Sequence, residues 1–224
     1  MKIITTLILL TFSLFSFGQD TTKTQTKKKL SFTGYFGGHY IQIPELERKL
    51  KSIGYEKPSS GFFSFGLGLK YGRNRAFGGI DISVYMLGSS LNTSSTAFQL
   101  QGFFNYKAVD NEKISIAPGL DIGLQSIKTD FKRTNSSNNF DTLFLSSGNY
   151  VKLTNLTPVI GFSTIFHFKK LDKSKNFFLR PFAHTRIGYK YGLQSNPWKA
   201  DGNAVVNSPS DRLSSIYIQW LGGF

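Results

Sequence analysis

The stretch Phe63-Ser64-Phe65-Gly66-Leu67-Gly68-Leu69-Lys70-Tyr71 decides the fold. Every second residue is large and apolar, and the residues between are Ser, Gly, Gly and Lys. An extended chain sends successive side chains to opposite faces, so this segment makes a strand with one greasy face and one small or polar face. The pattern recurs. Ile80, Ile82, Val84 and Met86 alternate with Asp81, Ser83 and Tyr85, and Phe98, Leu100, Gly102, Phe104 and Tyr106 alternate with Gln99, Gln101, Phe103, Asn105 and Lys107. Ile114 to Leu124 repeats it against Ser115, Ala117, Gly119, Asp121 and Gly123, and Ile216, Ile218 and Trp220 flank Tyr217 and Gln219. Segments 30–40, 156–169 and 177–192 carry the same period with more noise. The last of them sets Leu179, Pro181, Ala183 and Ile187 against Arg180, His184, Arg186 and Lys190. Eight strand segments result.

Alternation alone fits a soluble β-sandwich as well as a membrane barrel. The connectors discriminate. They fall at 41–60, 72–75, 89–95, 108–112, 127–155, 170–176 and 193–212, long and short in turn, as an up-and-down barrel with long extracellular loops and short periplasmic turns requires. Segments of about 10–14 residues exceed the roughly 5–6 of soluble strands and suffice to cross a bilayer at a tilt. Aromatics near segment ends, among them Tyr40, Phe63, Tyr71, Phe77, Tyr106, Phe168, Tyr189 and Trp220, suit interfacial girdles. The expected fold is therefore all-β, an eight-stranded antiparallel up-and-down transmembrane barrel over residues 30–224.

Composition narrows the chemistry. The 224 residues include 22 Phe, 10 Tyr, 2 Trp and 22 Gly, with no Cys and a net charge of +14. Lack of Cys excludes disulfides, thiolate metal sites, a cysteine nucleophile and an acylated N-terminal cysteine. With 40% hydrophobic residues and only 18% charged, the chain is not of the disordered class. Lys2, the apolar run Ile3 to Phe17 and the small residues Ser16 and Gly18 form a secretory signal peptide over 1–18, cut before Gln19. That run is too short for a membrane-spanning helix, which needs about 20 apolar residues. Residues 19–29 make a polar linker rich in Thr and Lys.

The terminal strand, Ser215-Ile216-Tyr217-Ile218-Gln219-Trp220-Leu221-Gly222-Gly223-Phe224, alternates up to a carboxy-terminal Phe. Together with the export signal and the eight-strand layout, it resembles the small outer-membrane β-barrel proteins of Gram-negative bacteria, the outer membrane protein beta-barrel domain and its PorT-like branch. The resemblance spans residues 30–224 and implies that Ile216, Ile218, Trp220 and Phe224 belong to the strand that barrel-assembly machinery recognises. It also implies an outer-membrane location.

Eight strands enclose a lumen that side chains fill, which disfavours an open pore. The inward set includes Lys70, Asp81, Tyr85, Gln99, Gln101, Lys107, Asp121, Gln125, Arg180, His184, Arg186 and Lys190. Charges held there must pair or stay hydrated, so Asp81 and Asp121 are expected to meet Arg180, Arg186 or Lys190. The surplus of cations leaves a second reading open, a narrow anion-selective channel. Catalysis finds no support. His39, His167 and His184 stand isolated in sequence, and no HExxH, GxSxG or paired-carboxylate spacing occurs. Neither a cofactor nor a metal site is expected.

Recognition residues concentrate on connections held by a rigid scaffold. Pro44 to Gly54 has Pro at a helix start, Gly past its end, and Leu46, Leu50 and Ile53 on one face, which predicts a short amphipathic helix that caps the barrel mouth or docks a partner. Residues 141–145 and 150–153 form a hairpin pattern around Ser146 to Asn149. It extends strands above the membrane or, inserted, makes ten strands. The short turns are basic, with Arg73, Arg75, Lys169, Lys170, Lys173 and Lys175, which suits anionic headgroups or an anionic envelope polymer. The expected partners are outer-membrane lipid and lipopolysaccharide, barrel-assembly machinery and an envelope protein, not nucleic acid, with the protein a monomer. The functional expectation is an envelope structural or surface-loop binding barrel, with the channel and an accessory barrel of a secretion or assembly machine as alternatives.

Overall fold

The computed structural model describes residues 29–55, 57–73, 75–86, 93–132, 140, 150–172 and 182–223. The expected signal peptide and most of the expected linker fall outside them, as do Arg180 and Phe224. Eight long strands run antiparallel in chain order: β1 Lys29–Ile41, β2 Gly61–Arg73, β3 Ala76–Met86, β4 Thr93–Tyr106, β5 Ile114–Lys132, β6 Tyr150–Phe168, β7 His184–Gly192 and β8 Ser215–Gly223. Each pairs with its neighbour in sequence, and β8 returns to β1 with Phe36 opposite Trp220. The ring closes on itself, so no barrel strand is left as an open edge.

The faces are inverted relative to a soluble protein. Leu67 is 71% exposed and Phe162 68%, and Phe65, Ile82, Phe98, Leu120, Ile187 and Ile216 also face outward. Their sequence neighbours Ser64, Asp81, Ser83, Gln99, Asp121, Arg186 and Tyr217 are buried inside. An apolar belt of this extent exceeds the few hundred Å² that a soluble monomer exposes and belongs in hydrocarbon. The sandwich alternative fails on this point, because a sandwich turns its apolar faces inward.

Strand boundaries depart from the sequence reading in three places. β5 and β6 are 19 residues each and pair from Ile114↔Phe168 to Lys132↔Tyr150, so residues 127–132 and 150–155 of the expected connector belong to strands. Val151 and Leu153 lie opposite Phe131 and Thr129 of β5, which makes them an extension of the existing strands and leaves the barrel at eight. Residues 141–145 of the expected hairpin lie outside the described residues. β7 begins at His184, with Phe182 and Ala183 in a helical turn before it, and residues 177–181 of the expected segment lie outside the described residues. Phe77, assigned to an outer girdle, is buried in the lumen because its place in β3 puts it on the same face as Asp81.

Glycines set the width of the lumen. A side chain at Gly66 would collide with the Tyr35 ring, one at Gly68 with the Asp81 carboxylate, and one at Gly188 with the Tyr217 ring. These strand glycines leave room for bulky inward neighbours, which accounts for Gly66-Leu67-Gly68 without a phosphate-binding role.

Candidate functional site

The lumen holds two apolar zones with a polar zone between them. At the end carrying the 42–60 and 193–214 connectors, helix α1 (Pro44–Ser52) lies across the mouth. Pro44 opens it, and Gly54, at φ 79°, follows it in a backbone conformation that favours glycine. Leu46 and Leu50 are fully buried, clustered with Ile41, Ile43, Phe131, Phe140, Trp198 and Leu213, and Ile53 packs against the same group. The apolar face of α1 is thus spent on the barrel mouth and is not offered to a partner. On its outer side Glu45 pairs with Arg48, and Glu47 accepts a hydrogen bond from Ser60 at 2.7 Å.

The end of the chain holds this helix. Asp211 accepts the backbone amides of Glu45 at 2.9 Å and Leu46 at 3.0 Å, and the Trp198 indole N–H at 2.8 Å. Its carboxylate satisfies two of the N–H groups that a helix start leaves without intrahelical partners. Burial pushes the Asp211 carboxyl above its ordinary value of 3.8, against the opposing pull of those three hydrogen bonds. Neither Asp211 nor Trp198 stands out in the sequence. A polar residue in a long connector carries no local sign of a helix some 165 positions earlier.

The middle zone is polar and carries two hydrogen-bonded sets, one on Asp81 and one on Asp121. Arg186 donates to Asp81 at 2.6 Å, Gln101 donates to the same carboxylate oxygen at 3.1 Å, and Gln99 donates to Gln101 at 2.5 Å. Tyr85 donates to Gln99 and accepts from Ser83 at 3.2 Å. Asp121 accepts from Tyr217 at 2.5 Å and Ser163 at 3.1 Å. Among the described residues its hydrogen-bond partners are these hydroxyls rather than a lysine or arginine. The inward register places Tyr217 and Ser163 nearer to it than the Lys190 head, which lies over the Tyr217 ring at 4.1 Å. His39 stacks on Tyr217, with ring centroids 5.1 Å apart, and sits 4.3 Å from Tyr85. Among the described residues the Arg186 Nε, Lys190 Nζ and His39 Nδ1 atoms are buried with no hydrogen-bond partner.

Below this zone lies a partly enclosed cavity of about 260 Å³, at the end of the lumen where β2 gives way to β3 and β4 to β5. Lys70, Lys107, His184 and Arg186 all line it. His167 and His184, isolated in sequence, stack here with ring centroids 3.9 Å apart because β6 and β7 pair them directly. Only the register reveals that pair. At the adjacent rim Lys169 donates to Asp110 at 2.6 Å and holds that carboxyl below its ordinary 3.8. Among the described residues no cluster of three or more His, Asp or Glu could hold a metal ion.

No protein-family model matches the chain, and no curated protein matches it. Solved structures do. The crystal structure of Neisserial surface protein A (NspA) superposes with a TM-score of 0.50 at 11% identity, over 88% of this chain and 99% of that one. The attachment invasion locus protein Ail of Yersinia pestis gives 0.46 at 13% identity, over 89% and 97%. Ail in complex with the heparin analogue sucrose octasulfate gives 0.41 at 13%, over 88% and 98%. At this identity the likeness to NspA shows the fold, a closed eight-stranded antiparallel barrel.

Proposed function

We propose that this chain is an exported outer-membrane barrel whose lumen is closed, and that it acts as an envelope structural or surface-binding protein through its long outer connectors. The observation that carries this reading is the sealed outer mouth. α1 lays Leu46 and Leu50 onto Trp198 and Phe131, and the last connector fastens the helix through Asp211. An eight-stranded barrel has little free bore to begin with. A buried hydrophobic plug above the Asp81–Arg186 pair removes a hydrated path.

The same reading places outer-membrane lipid and lipopolysaccharide against the belt. Ile216 and Ile218 face outward on β8, where Trp220 contacts Phe36 and Phe182, a surface suited to recognition during assembly. The finer PorT-like placement, with its accessory role in an envelope machine, rests on the sequence resemblance alone.

The test is planar-bilayer recording of the reconstituted protein beside protease digestion of intact cells. A silent bilayer with cleavage in the outer connectors supports the reading. Steady anion-selective current, lost in Arg186→Ala, replaces it with a channel.

A further inference from the structure

The cavity at the short-turn end has a composition that the closed-barrel reading does not use. Its cations are Lys70, Lys107 and Arg186; Asp81, the one acid among its lining residues, already accepts from Arg186 and Gln101, and Lys107 lies 4.0 Å from Asp110 at the rim. Its apolar wall is Phe77, Phe103, Ile165 and Leu221. Lys70 lies 4.9 Å over the Phe77 ring and the Arg186 guanidinium 4.6 Å over the Phe103 ring, so the cations and the aromatic wall adjoin. The buried Arg186 Nε has no hydrogen-bond partner among the described residues. Cations grouped between low-dielectric walls focus their field into the space they enclose.

From these features we infer that the cavity binds a small soluble anion with an apolar body, one carboxylate or phosphate group on a ring or short chain, entering from the short-turn side. The anionic group meets Lys70 and Lys107 beside Arg186 in the lining, and the apolar body lies on Phe77, Phe103 and Leu221. Size fixes the class. The volume is about 260 Å³, more than the roughly 150 Å³ that admits benzene and less than the roughly 300–1,000 Å³ of sites for drug-sized ligands. The site lies on the opposite side of the plug from the outer connectors. It therefore stands or falls independently of what those connectors bind.

The experiment is calorimetric titration of the full protein in discs of zwitterionic lipid with phenyl phosphate, using inorganic phosphate and benzyl alcohol as comparators. Phenyl phosphate is expected to bind with one-to-one stoichiometry. Lys70→Gln and Lys107→Gln, both partly exposed and so tolerated by the fold, should each weaken binding by about fivefold, the effect of losing roughly 1 kcal/mol. Heat-dependent migration in SDS gels confirms that each variant still forms the barrel. Absence of a binding signal up to about 10 mM, beyond the millimolar range of weak sites, overturns the proposal. So does wild-type affinity in both lysine variants. Equal binding of inorganic phosphate refutes the role of the apolar wall, and equal binding of benzyl alcohol refutes that of the cations. If anionic phospholipid in the discs blocks the titration, the occupant is a lipid headgroup and the soluble ligand is wrong.

Discussion

Arg186 donates to Asp81 across the lumen at 2.6 Å, from a position 105 residues away in the chain, and both residues are 2% exposed. Two charges withdrawn this far from water tolerate the site only as a pair, since removing one strands the other. Asp81→Ala is therefore expected to cost about 3–5 kcal/mol, while Asp81→Leu combined with Arg186→Met costs much less because no charge remains buried. Urea unfolding of the three proteins in lipid vesicles, followed by tryptophan fluorescence, checks this. Equal losses in the single and double variants would mean that packing, not charge, dominates.

Asp211 is expected to control the outer mouth without controlling the barrel. Asp211→Ala removes the acceptor for the amides of Glu45 and Leu46 and for the Trp198 indole. Loss of a helix cap costs about 1 kcal/mol, and a buried donor left unsatisfied adds roughly 1–3 kcal/mol. The strand ladders are untouched. Limited proteolysis should cut around residues 42–60 much faster in the variant, while its heat-dependent gel shift persists.

The same carboxyl gives a pH dependence with a definite sign. Burial raises its folded-state pKa above 3.8, so the folded protein holds the proton more tightly than the unfolded chain. The stability contributed by Asp211 is fully present below 3.8 and is lost as pH rises through the folded value. Relative to Asp211→Asn, which does not titrate, the wild-type protein should lose stability as pH is raised from below 3.8 towards neutrality. The difference between their unfolding midpoints across that range is the measurement. A constant or growing wild-type advantage would show that the three hydrogen bonds outweigh burial.

How much of this was legible in sequence follows from the range of each interaction. The period-two patterns of Ile80 to Met86, of Phe98 to Lys107 and of segment 177–192 depend on adjacent residues, and they carry the inward placement of Asp81, Tyr85, Gln99 and Arg186. Leu46 and Leu50 were legible for the same reason, as neighbours one helical turn apart. Asp211, Trp198 and the His167–His184 stack depend on chain closure and strand register, which no local window contains. Phe77 was misplaced because an aromatic near a strand end suits a girdle or a lumen equally well, and only its parity with Asp81 decides. The residues that line the cavity come from all eight strands, so the site exists only once the barrel has closed.

A last prediction separates lipid from water as the solvent of the outer face. Leu67 lies midway along β2 and is 71% exposed, with Gly34 and Ile82 opposite it on the neighbouring strands. On a soluble surface, replacing so exposed a leucine with arginine changes stability by no more than about 0.5 kcal/mol. On the lipid face of a barrel, arginine near the bilayer midplane costs about 2–4 kcal/mol, falling towards zero near the interfaces. Leu67→Arg should therefore lower stability in vesicles by that larger amount, and Tyr71→Arg, four residues nearer the turn, by clearly less. Unfolding titrations of both variants in the same vesicles provide the comparison. Two small and equal effects would mean that water, not hydrocarbon, surrounds this belt.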